Sequence, residues 1–249
     1  MIKTFLQFIN ESMDIKIEFI NNLSKNLIHK LRTSSFDESD TYSVFSGMHF
    51  NSPFNFNLVL NVRFDSNLDI EKDDHFKSLS WEQTNYLNLG YAIDANTHMS
   101  KSTSKIPKIV LHIIINPKNE PSLYTNLYYR FIDILNHETN HLNQLGVNRE
   151  PFNTQVSHMD TRNGSKKSYK YFLLPDEVES MIEGMYVRSK EEDRYLDEVF
   201  SDYLSPFIKN KYITRSEYQK VMKTWITRSL ELYPDAKFSK KADSIIENI

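Results

Sequence analysis

The chain contains no cysteine. That excludes disulfides and thiolate metal ligands together, so a transition metal here has only His, Asp and Glu to bind it. The absence also fits a reducing compartment. Glycine is scarce, five in 249 residues, and alanine occurs four times. No apolar run approaches the roughly 18 residues that cross a bilayer. The opening Met1–Glu11 lacks the long apolar stretch and small-residue cleavage site of a secretory signal. No repeat and no low-complexity tract is evident. Neither sign of charge dominates: the net charge is −3, which gives no reason to expect nucleic-acid or membrane partners. The lysines at 166, 167 and 170 form a short basic patch that reads as a solvated loop. What remains is an ordinary globular composition, 39% hydrophobic and 25% charged, on a chain long enough to bury a real core. A soluble intracellular protein is the expectation.

Periodicity divides the chain into a strand-bearing half and a helical half. From Ser12 to Leu31 the apolar positions Ile15, Ile17, Phe19, Ile20, Leu23, Leu27, Ile28 and Leu31 mostly keep helical spacing. Thr33 to Asp40 reads as a polar connection. Asn55–Phe64 alternates apolar and polar residues, predicting a strand with one buried face. Trp81–Asp94 suggests a further strand pair with a bend near Asn88-Leu89-Gly90. Ile106–Asn116 is the strongest strand, β-branched and bounded by Pro107 and Pro117. Pro121-Ser122 then opens a helix that runs to Leu145, with Gly146 placed for its C-cap. Val147–Lys170 has no clear period and is too long for an ordinary connection, so it reads as a functional loop or lid carrying Arg149, His158 and Arg162. Pro175 to Ile249 predicts three or four helices. The order of elements is that of an α+β protein.

Residues 137–141 read His137-Glu138-Thr139-Asn140-His141. On a helix, histidines four apart stand one turn above each other, so both imidazoles can reach a single ion. Glu138 projects beside them and can take a proton from water and pass it to a leaving amine. On the helical wheel Glu138 shares the apolar face of Ile134, Leu142 and Leu145, whereas Asn136, Asn140 and Asn143 fall on an opposite, polar face. Two imidazoles and a carboxylate beside a core-facing stripe are costly unless paired or coordinated. Catalytic zinc usually keeps three protein ligands, so a third is needed. Glu177, Glu179 and Glu183 compete for that place; Glu177 and Glu179 cannot both point the same way on a helix.

A helical H-E-x-x-H followed some tens of residues later by a glutamate opening a second helix resembles the gluzincin class of zinc peptidases. The run Pro175-Asp-Glu177-Val-Glu179-Ser180 is also similar to a pattern in uncharacterised zincin-like proteins of bacteria and phages. The resemblance covers about residues 106–186. It implies Zn2+ held by His137, His141 and Glu177, because the ligand glutamate of that class commonly stands three residues before a small residue, here Ser180; Glu179 remains the alternative. It implies a zincin-like fold in which a small N-terminal mixed sheet packs on the active-site helix and a mostly helical C-terminal part follows. One catalytic domain would span 12–249, with sheet and helix in 12–146 and the helical half in 171–249. The aspartate usual four residues after the ligand is replaced by Met181, which leaves the support of a histidine unassigned. The strand Ile109–Ile115 would be either the edge strand that pairs with a peptide substrate or an ordinary core strand. For the oxyanion stabiliser the candidates are Tyr171, which we favour, His158, Tyr169 and His112.

The implied activity is zinc-dependent hydrolysis of a peptide bond in a protein or peptide substrate, with Glu138 as general base. The alternative is a non-catalytic protein on the same scaffold, a virion component or a binder of host proteins. Residues 1–11 are similar to the short capsid-targeting leaders of internal head proteins in large contractile-tailed bacteriophages, with Ile9-Asn10-Glu11 matching the cut site. The reading preferred over this is the first amphipathic turns of an N-terminal helix, with Phe5, Phe8 and Ile9 packing inwards. The corresponding locations are the host cytoplasm or a phage virion.

Overall fold

The computed structural model describes residues 5–33, 43–49, 56–64, 90–98, 108–116, 122–145, 169–209 and 211–246. In chain order the elements are α1 (Phe5–Thr33), β1 (Ser43–His49), β2 (Asn57–Phe64), β3 (Tyr91–His98), β4 (Lys108–Ile115), α2 (Ser122–Leu145), a 3-10 turn (Tyr171–Leu173), α3 (Pro175–Glu191), α4 (Leu196–Lys209), α5 (Arg215–Leu232) and α6 (Lys240–Ile246). The expected α+β order holds, with four helices from residue 175 onward among the described residues. Of the strand pair predicted at 81–94, the described part is a strand that starts at Tyr91 and runs on to His98; residues 81–89 lie outside the described residues, as do Gly146 and the loop 147–168. Gly90 turns the chain into β3 at φ 86°, a left-handed conformation open to glycine without a steric cost. Its carbonyl accepts from Asn116 N at 2.7 Å.

The sheet has the order β1-β2-β4-β3. β2 and β4 run parallel, and the outer pairs are antiparallel. Register places Leu58 beside Ile109, Leu60 beside Leu111 and Val62 beside Ile113, so the alternation of both strands sums to one apolar face. Ile93 and Tyr91 extend that face opposite Ile113 and Ile115. Ile20, Leu23, Leu27 and Leu31 of α1 and Leu123, Leu127, Phe131, Ile134 and Leu135 of α2 close over it as one cluster. On the other face Asn61 and His112 are register neighbours whose side chains meet at 3.2 Å.

β4 is therefore an interior strand, hydrogen-bonded on both sides. Its backbone has no free edge for a peptide, so of the two readings of Ile109–Ile115 the core strand is correct. Among the described residues the edge on this side is β3.

A second cluster fills the helical half, and Ile132 of α2 belongs to it together with Phe172, Val199, Phe200, Phe207 and Trp225. α2 thus has a core on two sides. The face expected to be polar and outward, with Asn136 and Asn140, is interior: Asn136 is 0% exposed and Asn140 reaches Ser180 of α3. A lone helical wheel finds one apolar stripe and assigns the rest to solvent; it has no means of seeing a second helix laid over that face.

That second helix comes unusually near. A Cβ added at Gly184 of α3 would stand 2.5 Å from the Asp133 carbonyl oxygen and 2.7 Å from its carboxylate. Only glycine permits this approach. Asp133 is buried and paired with Arg130, three residues before it. α1 is tied to α3 by the ion pair of Lys16 with Glu183 and by Asn21 donating to Glu191 at 2.6 Å. Gly184→Ala is expected to force α2 and α3 apart and cost about 1–3 kcal/mol, a fall in Tm of roughly 2–12 °C for a chain of this size. Thermal unfolding followed by circular dichroism checks this; an unchanged Tm would mean that the helices tolerate a wider separation.

Candidate metal centre

His137 and His141 occupy successive turns of α2, near its C-terminal end. Glu177 lies in the first turn of α3, where Pro175 is the first helical residue and Asp176 and Glu177 are the acidic residues that a helix N-terminus favours. The three side chains converge. His137 Nε2 and His141 Nε2 are 2.9 Å apart, and Glu177 Oε2 is 3.5 Å from each. Among the described residues they form the one group of His and acidic side chains whose ligand atoms could hold a metal ion.

The dimensions fit. Four-coordinate metal bonds of about 2.0–2.1 Å at tetrahedral angles set ligand atoms about 3.3–3.4 Å apart, and the three separations of 2.9, 3.5 and 3.5 Å bracket that value. The environment fits as well. Glu177 is buried and the histidines are nearly so; a carboxylate taken out of water beside two imidazoles needs compensation that a cation supplies.

Of the competing acids, Glu179 turns away and accepts from Arg228 Nη2 of α5 at 2.6 Å. Glu183, two turns along α3, is engaged by Lys16. The choice left open between Glu177 and Glu179 is decided by the helical turn: residues two apart diverge by about 200° around the axis, and only Glu177 faces α2.

Around the trio stand three polar side chains. Tyr171 Oη donates to Glu177 Oε2 at 2.9 Å. Its 3-10 turn is fixed by its neighbour Phe172, which is fully buried among Tyr203, Phe207 and Trp225 and whose carbonyl accepts from Trp225 Nε1 at 2.8 Å. Ser180, one turn after Glu177, lies 3.3 Å from both His141 Nδ1 and Asn140 Nδ2. Glu138 is buried and accepts a hydrogen bond from Thr97 of β3, which joins the helix to the edge strand.

The sequence offers three further oxyanion candidates. His112 is engaged with Asn61 on the sheet, Tyr169 packs on the helical core with the Lys220 ammonium 5.5 Å from its ring centre, and His158 falls outside the described residues. Sequence reasoning missed Thr97 and Asn140. Neither carries a local signal, since each owes its position to packing between elements distant in sequence.

The chain matches no protein-family model, no curated protein and no solved structure in the comparisons made. The site is therefore read from its own geometry. A divalent transition-metal ion is expected to bind at one equivalent per chain. Glu177→Ala should weaken it at least about 100-fold, the upper end of what losing a mere supporting residue costs, and Glu179→Ala should leave it within about threefold. Calorimetric titration distinguishes the two; equal losses would mean that the trio is not the binding site.

Proposed function

We propose that this protein is a zinc-dependent peptide-bond hydrolase of the gluzincin type. The observation that carries the reading is the convergence of His137, His141 and Glu177 on one point, with Glu138 next to His137 on the same helix. Two imidazole nitrogens and one carboxylate oxygen, without sulfur, are a donor set suited to zinc that keeps a fourth position for water. When bound, zinc supplies a Lewis acid that lowers the pKa of water towards about 7 and polarises a carbonyl.

The chain's own residues supply the rest. Glu138 takes the proton from the attacking water and hands it to the departing amine. Thr97, by donating to the Glu138 carboxylate, fixes its orientation against β3. Tyr171, with its hydroxyl at the cluster, is the donor for the charge that develops on the carbonyl oxygen. β3 is the strand beside which an extended peptide backbone would align, because it is the sheet edge nearest α2 among the described residues.

Zinc analysis with peptide-library cleavage tests the whole. Glu138→Gln should retain zinc and lose at least roughly 10²-fold in kcat, the scale of general-base removal. A Glu138→Gln protein as active as wild type, or a zinc-loaded wild type that cleaves no peptide, contradicts the hydrolase reading. Tyr171→Phe separates two roles for the phenol. Loss of about 10²-fold in kcat with zinc affinity kept is expected of an oxyanion donor, whereas weaker zinc binding with kcat kept would make it a holder of Glu177.

A further inference from the structure

His141 can serve a metal through Nε2 only if its single ring hydrogen sits on Nδ1. Nδ1 faces Ser180 Oγ, at 3.3 Å. Ser180 is 0% exposed, so bulk water cannot take its place. Its hydroxyl has one hydrogen to give, and the nearest acceptor is the Asp176 carbonyl, 2.9 Å away. With that hydrogen used, Oγ can only accept from its two other neighbours. Asn140 Nδ2, a donor by nature, is one, at 3.3 Å. The other is His141 Nδ1, which must then carry the hydrogen. A flipped Asn140 would set two acceptors face to face, so the hydroxyl direction and the amide assignment support each other.

We propose that Ser180 is a positioning residue that holds His141 as the Nδ1–H tautomer and aims its Nε2 lone pair at the point shared with His137 and Glu177. The inference rests on reading that trio as a metal centre and adds to it the origin of the imidazole's orientation. A carboxylate is the commoner support for a ligand histidine, and Met181 supplies none. Here a neutral hydroxyl, itself anchored to helix backbone, does the same task. Because Ser180 stands three residues after Glu177, one turn of α3 delivers both the third ligand and the support of the second.

Two-bond proton–nitrogen correlation spectra of the full chain without metal, at a pH of about 8, above the range of free imidazole, read the tautomer directly. Wild-type His141, assigned by its loss in His141→Gln, should show the Nδ1–H pattern. Ser180→Ala, which removes only an oxygen and leaves no steric conflict, should return His141 to a mixture with Nε2–H. The same variant should bind zinc about 10- to 100-fold more weakly in chelator competition, with recovery in Ser180→Thr, whose hydroxyl can make the same backbone bond. An Nε2–H pattern in wild type overturns the proposal, as does a Ser180→Ala protein with unchanged tautomer and zinc affinity. Wild type that shows the Nδ1–H pattern yet binds no zinc upholds the role of Ser180 and removes the metal reading instead.

Discussion

The backbone contact between Gly184 and Asp133 sets the position of everything else in the site. With no Cβ between them, α3 lies directly on α2, and the order of contacts shows that the two run antiparallel. Gly184 meets Asp133, Ser180 meets Asn140 and His141, and Glu177 meets His137 and His141. At a rise of about 1.5 Å per residue, the seven residues from Gly184 back to Glu177 and the eight from Asp133 on to His141 advance each helix by similar lengths, about 10–12 Å. A carboxylate with a short reach then meets two imidazoles. A wider gap between the helices would leave Glu177 short of them.

Such an approach places polar atoms in the interior, and α2 manages this by being a partition between two cores. Its Leu127, Phe131 and Leu135 belong to the sheet cluster and Ile132 to the helical one. Between the two runs a buried polar stripe: Arg130 with Asp133, Asn136 donating to the Ile132 carbonyl, Thr139 to the Leu135 carbonyl, and then the histidines. Buried polar groups are tolerated when they are paired, and the pairings of this stripe run within α2 or to α3, while Asn136 Oδ1 is left buried without a hydrogen-bond partner among the described residues. The two clusters provide the apolar burial that holds the stripe in place.

The surrounding elements each contribute one restraint. β3 reaches Glu138 through Thr97, the Phe172–Trp225 packing holds the turn that carries Tyr171, and α1 is fastened over α3 by Lys16 and Asn21. Each restraint comes from a different stretch of the chain, so the geometry of the cluster belongs to the assembled fold rather than to any one segment.

Much of this was legible locally. The His137/His141 pair, the helix that carries it, the strands at 57–64 and 108–115 and the helix opened by Pro175 all follow from periods of 3.6 and 2 and from proline and glycine punctuation. That a metal on the two histidines would want a third ligand followed from metal chemistry, and the resemblance to gluzincins pointed to Glu177. Tertiary structure alone decided that Glu177 rather than Glu179 joins the histidines, that β4 is interior and β3 the edge among the described residues, and that the Asn136–Asn140 face is covered. It also decided that Ser180 meets His141. The physical reason is common to all four: hydrophobic period and ligand spacing are properties of neighbours along the chain, whereas partner choice depends on which helix faces which, and that is set by long-range packing to which no local pattern is sensitive.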